Sequence, residues 1–204
     1  MPGEIITAGT ITISGHRDYP DRAGLFRGLD RLRADTYILG GARGADTDAL
    51  EYLSRTQPGS NRTVVVPNRV QDQSVLSRES ISQNATKVIE LKNVGSDRFK
   101  IRNRFMVDSS DKLAAFYDGR GSGGTFNTIQ YAQSKGVPVE IIQLVEMNEA
   151  AVLSLEMDEF NEWLDECGRA KVPQACVKGL AVRGMKRFPK AAWPGMLQKI
   201  HRLP

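Results

Sequence analysis

The chain has 204 residues, 40% of them apolar and 25% charged, with a net charge of +4, a balance suited to one buried core plus an appendage. No stretch reaches the roughly 18 consecutive apolar residues of a membrane span, and MPGEIITAG has no basic region ahead of an apolar one, so a cytoplasmic protein with no membrane association is expected. Cys167 and Cys176 read as free thiols, and with only His16 and His201 beside them no metal site and no cofactor are expected.

In chain order, Ile11–Ser14 reads as a short strand running into the turn SGHRDYPD. Asp21 can cap a helix through Arg33 that places Leu25, Leu29 and Leu32 on one face. Thr36–Leu39 is a second strand, breaking at once into GGARGAD, and the next helix turns Ala45, Ala49, Leu50 and Leu53 inward. Arg62–Val66 reads as a buried strand stopped by Pro67, whereas Asn68–Lys100 is polar and weakly periodic and reads as a long loop with helical pieces. Phe99–Val107 returns to helical spacing through Ile101 and Phe105, followed by the strand Lys112–Tyr117, a helix from Thr125 and a last strand over Val137–Leu144.

Strands alternating with helices predict an α/β protein: a Rossmann-like parallel sheet flanked by helices, occupying residues 1–147. Residues 148–204 form a C-terminal helix plus a basic extension. Met157, Phe160, Leu164 and Cys167 share a face of that helix, which is expected to stop at Gly168. Beyond it, four prolines and no strong period predict an extended arm docked on the core or on a neighbouring subunit. Charge is divided sharply here: Val145–Gly168 holds eight acids and no base, while Arg169–Pro204 holds nine Lys or Arg and no acid. Such an arm can contact nucleic acid phosphates, or it can fold back on the acidic segment beside it.

Three strands end in loops of small residues, SGHR, GGARGAD and DGRGSGGT, and parallel sheets gather ligands at the carboxyl ends of their strands. In Lys112–Thr125, an apolar strand gives way to a glycine loop and then a helix, which leaves backbone N–H groups free for an anion. GRGSGG (Gly119–Gly124) matches the dinucleotide spacing, with Glu146 as a ribose ligand, but it sits on the last βα unit with no strands left to complete a dinucleotide fold. A Walker A loop is ruled out because Thr125 stands where Lys is needed. Asp46 can bind a ribose hydroxyl or simply favour a helix N-terminus, and Arg43 offers a guanidinium beside a phosphate-sized cradle. Arg98, Lys100, Arg102 and Arg104 form a basic cluster from which Arg102 or Asn103 can reach the same edge.

The order SGHR, GGARGADTDAL, RNRFM, DKLAAFYDGRGSGGTFNTIQYA and PVEII resembles the SLOG superfamily of Rossmann-like proteins over about residues 10–145. It is most similar to the YspA/YpsA-like branch, whose relatives include the LOG phosphoribohydrolases and DprA-type DNA-processing proteins. The resemblance implies a site for a nucleotide or nucleotide-derived molecule lined by Gly15, Arg17, Gly41, Arg43, Gly44, Asp46, Arg102 and Asn103. Gly121, Ser122, Gly123, Gly124 and Thr125 would hold phosphate, and a homo-oligomer is expected. In the LOG pattern P-G-G-x-G-T-x-x-E the Glu is catalytic; here Thr128 takes its place and no proline precedes the glycines.

Binding of such a ligand, for sensing, sequestration or delivery, is therefore the leading expectation. Its first rival is an N-glycosidase acting on a nucleoside phosphate, with Asp118 or Asp46 as acid/base and Arg102 on the phosphate. The second is a nucleic-acid-handling module that uses Arg169–Pro204, though Phe188 and Trp193 give that segment little stacking capacity.

Overall fold

The structure, a computed structural model, describes residues 5–19, 22–117, 121–143, 149–169 and 174–203. It divides into two compact units, one carrying the sheet and ending at Ile142, the other built mainly from Gln143–Pro204.

In the first unit, β1 (Ile6–Gly15), β2 (Leu32–Leu39), β3 (Asn61–Val66), β4 (Lys87–Glu90), β5 (Lys112–Tyr117) and β6 (Val139–Gln143) form one parallel sheet. Their order is β4-β3-β2-β1-β5-β6. The connecting helices are α1 (Arg22–Leu29), α2 (Ala45–Thr56), α3 (Val75–Asn84), α4 (Arg98–Asp108) and α5 (Gly124–Ser134). Adjacent side chains of β3 (Val64, Val65, Val66) and of β5 (Leu113 through Phe116) are all fully buried, because helices cover both faces of the sheet. The chain steps outward from β1 to β4 and then crosses back to β5 on the other flank of β1. That reversal opens a crevice at the carboxyl ends of the central strands.

Four sequence expectations are corrected. Leu32 is not on the first helix: it opens β2 opposite Ile6, and the helix ends at Leu29 as Ile6 N–H takes the Arg31 carbonyl at 2.8 Å. The segment 68–100, expected as a long loop with helical pieces, does hold a 3₁₀ turn (Val70–Asp72) and α3, but it also holds the unexpected strand β4. β4 was illegible because it is short and lies at the sheet edge, where Val88 is 40% exposed and the apolar alternation fades. On α4 the buried face is Arg102, Met106 and Val107, leaving Ile101 and Phe105 at the surface.

The fourth correction concerns the C-terminal segment. The second unit contains α6 (Glu149–Ser154), α7 (Met157–Arg169), α8 (Gln174–Met185), a 3₁₀ turn (Lys190–Ala192) and α9 (Trp193–His201), so the segment is not an extended arm. Its prolines are compatible with helices because Pro194 sits in the first turn of α9, where its missing N–H costs nothing, and Pro189 precedes the 3₁₀ turn. Phe160, Trp163, Leu164 and Cys167 of α7 pack with Leu180, Ala181 and Met185 of α8 and with Met196 and Ile200 of α9. Met157 is not on that face and stays exposed. Lys199 reaches Asp165 at 2.6 Å and Arg187 donates to the Leu155 carbonyl at 2.9 Å, so part of the basic segment does fold back on the acidic one. Among the described residues no helix is long and apolar enough to cross a membrane.

Candidate functional site

The loops after β1 and β2 meet because α2 starts beneath both. Ala45 N–H donates to the His16 carbonyl at 3.2 Å, and Gly44, at φ 86°, packs directly against the Arg17 backbone. A side chain at Gly44 would collide with that backbone in a conformation L residues disfavour, which explains the glycine. Gly15 at the end of β1 lies against Ala45, and Gly41 against Val64.

Under this junction sits a buried ion pair. Arg102 of α4 donates through Nη1 to the Gly40 carbonyl, and the same nitrogen lies 4.0 Å from Asp46 Oδ2. Asp46 in turn accepts Ala42 N–H at 3.1 Å. Gly40 has room for no side chain, since a Cβ there would occupy the Arg102 guanidinium. Burial raises the Asp46 carboxyl above its usual pKa, and the Arg102 charge, the Ala42 N–H and the Arg17 charge only partly oppose this. Burial likewise lowers Arg102, with Asp46 opposing. Among the described residues Arg102 Nε has no hydrogen-bond partner. The pair therefore ties α4 to the β2 loop, with its guanidinium on the Gly40 carbonyl.

Above it opens a cavity of about 380 Å³, within the range of small-ligand sites. Arg17 and Arg43 line it from the first two strand-end loops, Pro67 and Asn68 from the loop after β3, Ser74 and Ser77 from the start of α3, and Arg98 and Phe99 from the start of α4. Arg43 is exposed and makes no hydrogen bond or ion pair with the described residues. Ser74 caps α3 by accepting Ser77 N–H at 3.3 Å. Asp72 is the carboxylate of the lining, and it is held by the Asn68 amide at 2.5 Å and Arg69 N–H at 3.4 Å.

Asn103, Gly124 and Thr128 line a second cavity, of about 270 Å³, between α4 and α5. Asn103 donates to Thr128 Oγ1 at 2.9 Å, and that hydroxyl donates to the Gly124 carbonyl at 2.7 Å, so Thr128 serves as a link between helices. Phe99 borders both cavities. Thr125 is buried at the start of α5, whereas Gly121, Ser122, Gly123 and Gly124 are exposed. Asp118, a candidate acid, lies outside the described residues.

Sequence reasoning placed Asn103 and the Gly121–Thr125 loop in one site with Arg17, Arg43, Asp46 and Arg102; the structure brings the last four to one edge, whereas Asn103 and Gly124 line the second cavity and no residue of Gly121–Thr125 lines the first. That reasoning missed Phe99, Asn68, Ser74 and Ser77. Ser74, followed three residues later by Ser77 and opening VLSRESISQN, was a legible helix-cap signal; nothing local marked Phe99. Among the described residues no His, Cys, Asp and Glu cluster could hold a metal ion.

Sheet order and site together define an α/β protein of Rossmann-like architecture with a cationic strand-end cavity. No protein-family model and no curated protein sequence matches the chain. Among solved structures it is similar to DNA processing protein A (DprA) from Streptococcus pneumoniae, at 16% identity and a TM-score of 0.48, over 65% of this chain and 49% of that one. The chain thus spans about half the length of that protein.

Proposed function

We propose that the chain binds a nucleotide or nucleotide-derived small molecule in the strand-end cavity, as a SLOG-type protein of the YspA/YpsA-like kind. One observation carries the reading: Arg17 and Arg43 from two strand-end loops and Arg98 from the start of α4 converge on a cavity of about 380 Å³ whose carboxylate, Asp72, is already hydrogen-bonded. Three guanidiniums in a concave site recognise phosphoryl oxygens by paired N–H donors. Calorimetric titration with AMP and ADP tests it. Arg43→Ala is expected to weaken binding at least tenfold, since a charge-assisted hydrogen bond contributes about 1.5–3 kcal/mol, with an unchanged melting temperature because the side chain is exposed. Equal affinity in wild type and variant would overturn this placement of the site.

A second reading rests on Asp46, a buried carboxyl with a raised pKa beside the same loops. An N-glycosidase acting on a nucleoside phosphate would use such a group as acid or base. Release of free base from AMP by the wild type and not by Asp46→Asn is the result that reading requires. Nucleic-acid handling would instead draw on exposed Lys178, Lys186 and Lys190 of the helical unit. It predicts steeply salt-dependent DNA binding that survives Arg43→Ala and is lost on reversing those three charges.

A further inference from the structure

We infer that the cavity selects a diphosphate over a monophosphate, and that Phe99 sets this preference by holding Arg17 and Arg98 as a two-armed clamp. This rests on the nucleotide reading and specifies which ligand class the site takes.

Phe99 is 38% exposed, so it contributes little to the core, yet it forms a wall of the cavity. The Arg17 guanidinium lies 5.2 Å from its ring centroid and that of Arg98 lies 4.8 Å away. Stacking on an aromatic face fixes the plane of a guanidinium while leaving its N–H fork available. The two arms come from distant parts of the chain, the loop after β1 and the start of α4. Arg17 makes no hydrogen bond or ion pair with the described residues, and Arg98 makes one long bond to the Gly95 carbonyl at 3.4 Å. The ring is the contact that both guanidiniums share.

Charge sets the ligand class. Arg43 adds a third cation to the lining, and Asp72 is engaged by Asn68 and by Arg69 N–H. Hydrogen bonds from neutral donors leave the Asp72 charge in place, so three guanidiniums less one carboxylate make the lining net positive by two, and such a site attracts the more highly charged ligand. A phosphomonoester carries about −1.5 to −2 near neutral pH. A terminal diphosphate carries roughly three negative charges, since its second phosphoryl group adds at least one more, and offers separate oxygens to each arm. Ordering two guanidiniums in advance also lowers the entropic cost of binding such a group.

The test is calorimetric titration of the full chain with ADP, AMP, inorganic pyrophosphate and inorganic phosphate. Wild type is expected to bind ADP and pyrophosphate at least about tenfold more tightly than AMP and phosphate. Phe99→Leu should reduce that ratio about tenfold by lowering diphosphate affinity, while Phe99→Trp, which keeps the stacking surface, should retain it. Melting temperatures of both variants should match wild type, which separates loss of the clamp from loss of fold. Pyrophosphate binding without added ADP affinity would make the ligand a free diphosphate rather than a nucleotide, and the clamp would stand. AMP binding as tightly as ADP, or a ratio untouched by Phe99→Leu, would overturn the clamp and leave the nucleotide reading intact. No binding by any of the four would remove both.

Discussion

The strand-end loops of the sheet unit and the basic helices of the C-terminal unit hold the same kind of charge in opposite ways. At the loops, Arg17 and Arg43 make no hydrogen bond or ion pair with the described residues and face a cavity. In the helical unit, Lys199 is paired with Asp165 and Arg187 is bonded to the Leu155 carbonyl. The difference teaches that the density of basic residues does not tell how much of their charge is already engaged. The C-terminal segment has nine Lys or Arg and no acid, yet part of that charge is answered by its own acidic helix. Three arginines scattered over the first hundred residues instead line the strand-end cavity.

The largest effect on this contrast should come from Arg102→Met. It removes the tie between α4 and the β2 loop and leaves Asp46 buried without its cation. Breaking one side of a buried pair costs about 3 kcal/mol, to be read from urea denaturation. The double variant Arg102→Met, Asp46→Asn should recover part of that loss, because the isolated carboxyl is what makes the single change costly. Strictly additive costs would show that the two side chains do not cooperate.

A smaller effect is expected in the pH dependence of stability. The Asp46 pKa is raised in the folded protein, chiefly by burial. The unfolded chain therefore loses its proton first as pH rises. Stability from this group is complete below the unfolded carboxylate range, near about pH 4, and declines as pH rises through the folded value. Asp46→Asn should remove up to about 1.4 kcal/mol per pH unit of that decline at its steepest. Melting temperatures recorded from mildly acidic to neutral pH would show it, and an unchanged slope would place the titration elsewhere.

The smallest effect belongs to the helical unit. Lys199 and Asp165 have side chains 31% and 42% exposed, so Lys199→Gln should cost only about 0.5 kcal/mol. High salt should reduce even that difference. A loss comparable to that of Arg102→Met would mean that charge in the two units is used alike.

Much of the framework was legible from periodicity. The strand Lys112–Tyr117 and the inward set Ala45, Ala49, Leu50 and Leu53 are as expected, because a parallel strand buried on both faces and an amphipathic helix leave strong local patterns. β4 was not legible, and α3 was marked only by its Ser74 cap. An edge strand of four residues with Val88 exposed has no alternation to detect, and α3 buries only Ser77, Ser80 and Ile81. The C-terminal helices were obscured by prolines, which mark breaks in sequence, but Pro189 and Pro194 sit here at helix starts.

The sequence by itself determined the alternation of strands and helices, the glycine loops that must lie at strand ends, and Arg17 and Arg43 as candidates there. Only the tertiary structure decided that Arg102 lies under the site on the Gly40 carbonyl while Arg98, four residues earlier, stands in the cavity beside Phe99. The physical reason is that helical spacing fixes which residues share a face but not what the face meets. That was settled when β5 returned beside β1 and brought α4 over the loops of strands distant in the chain.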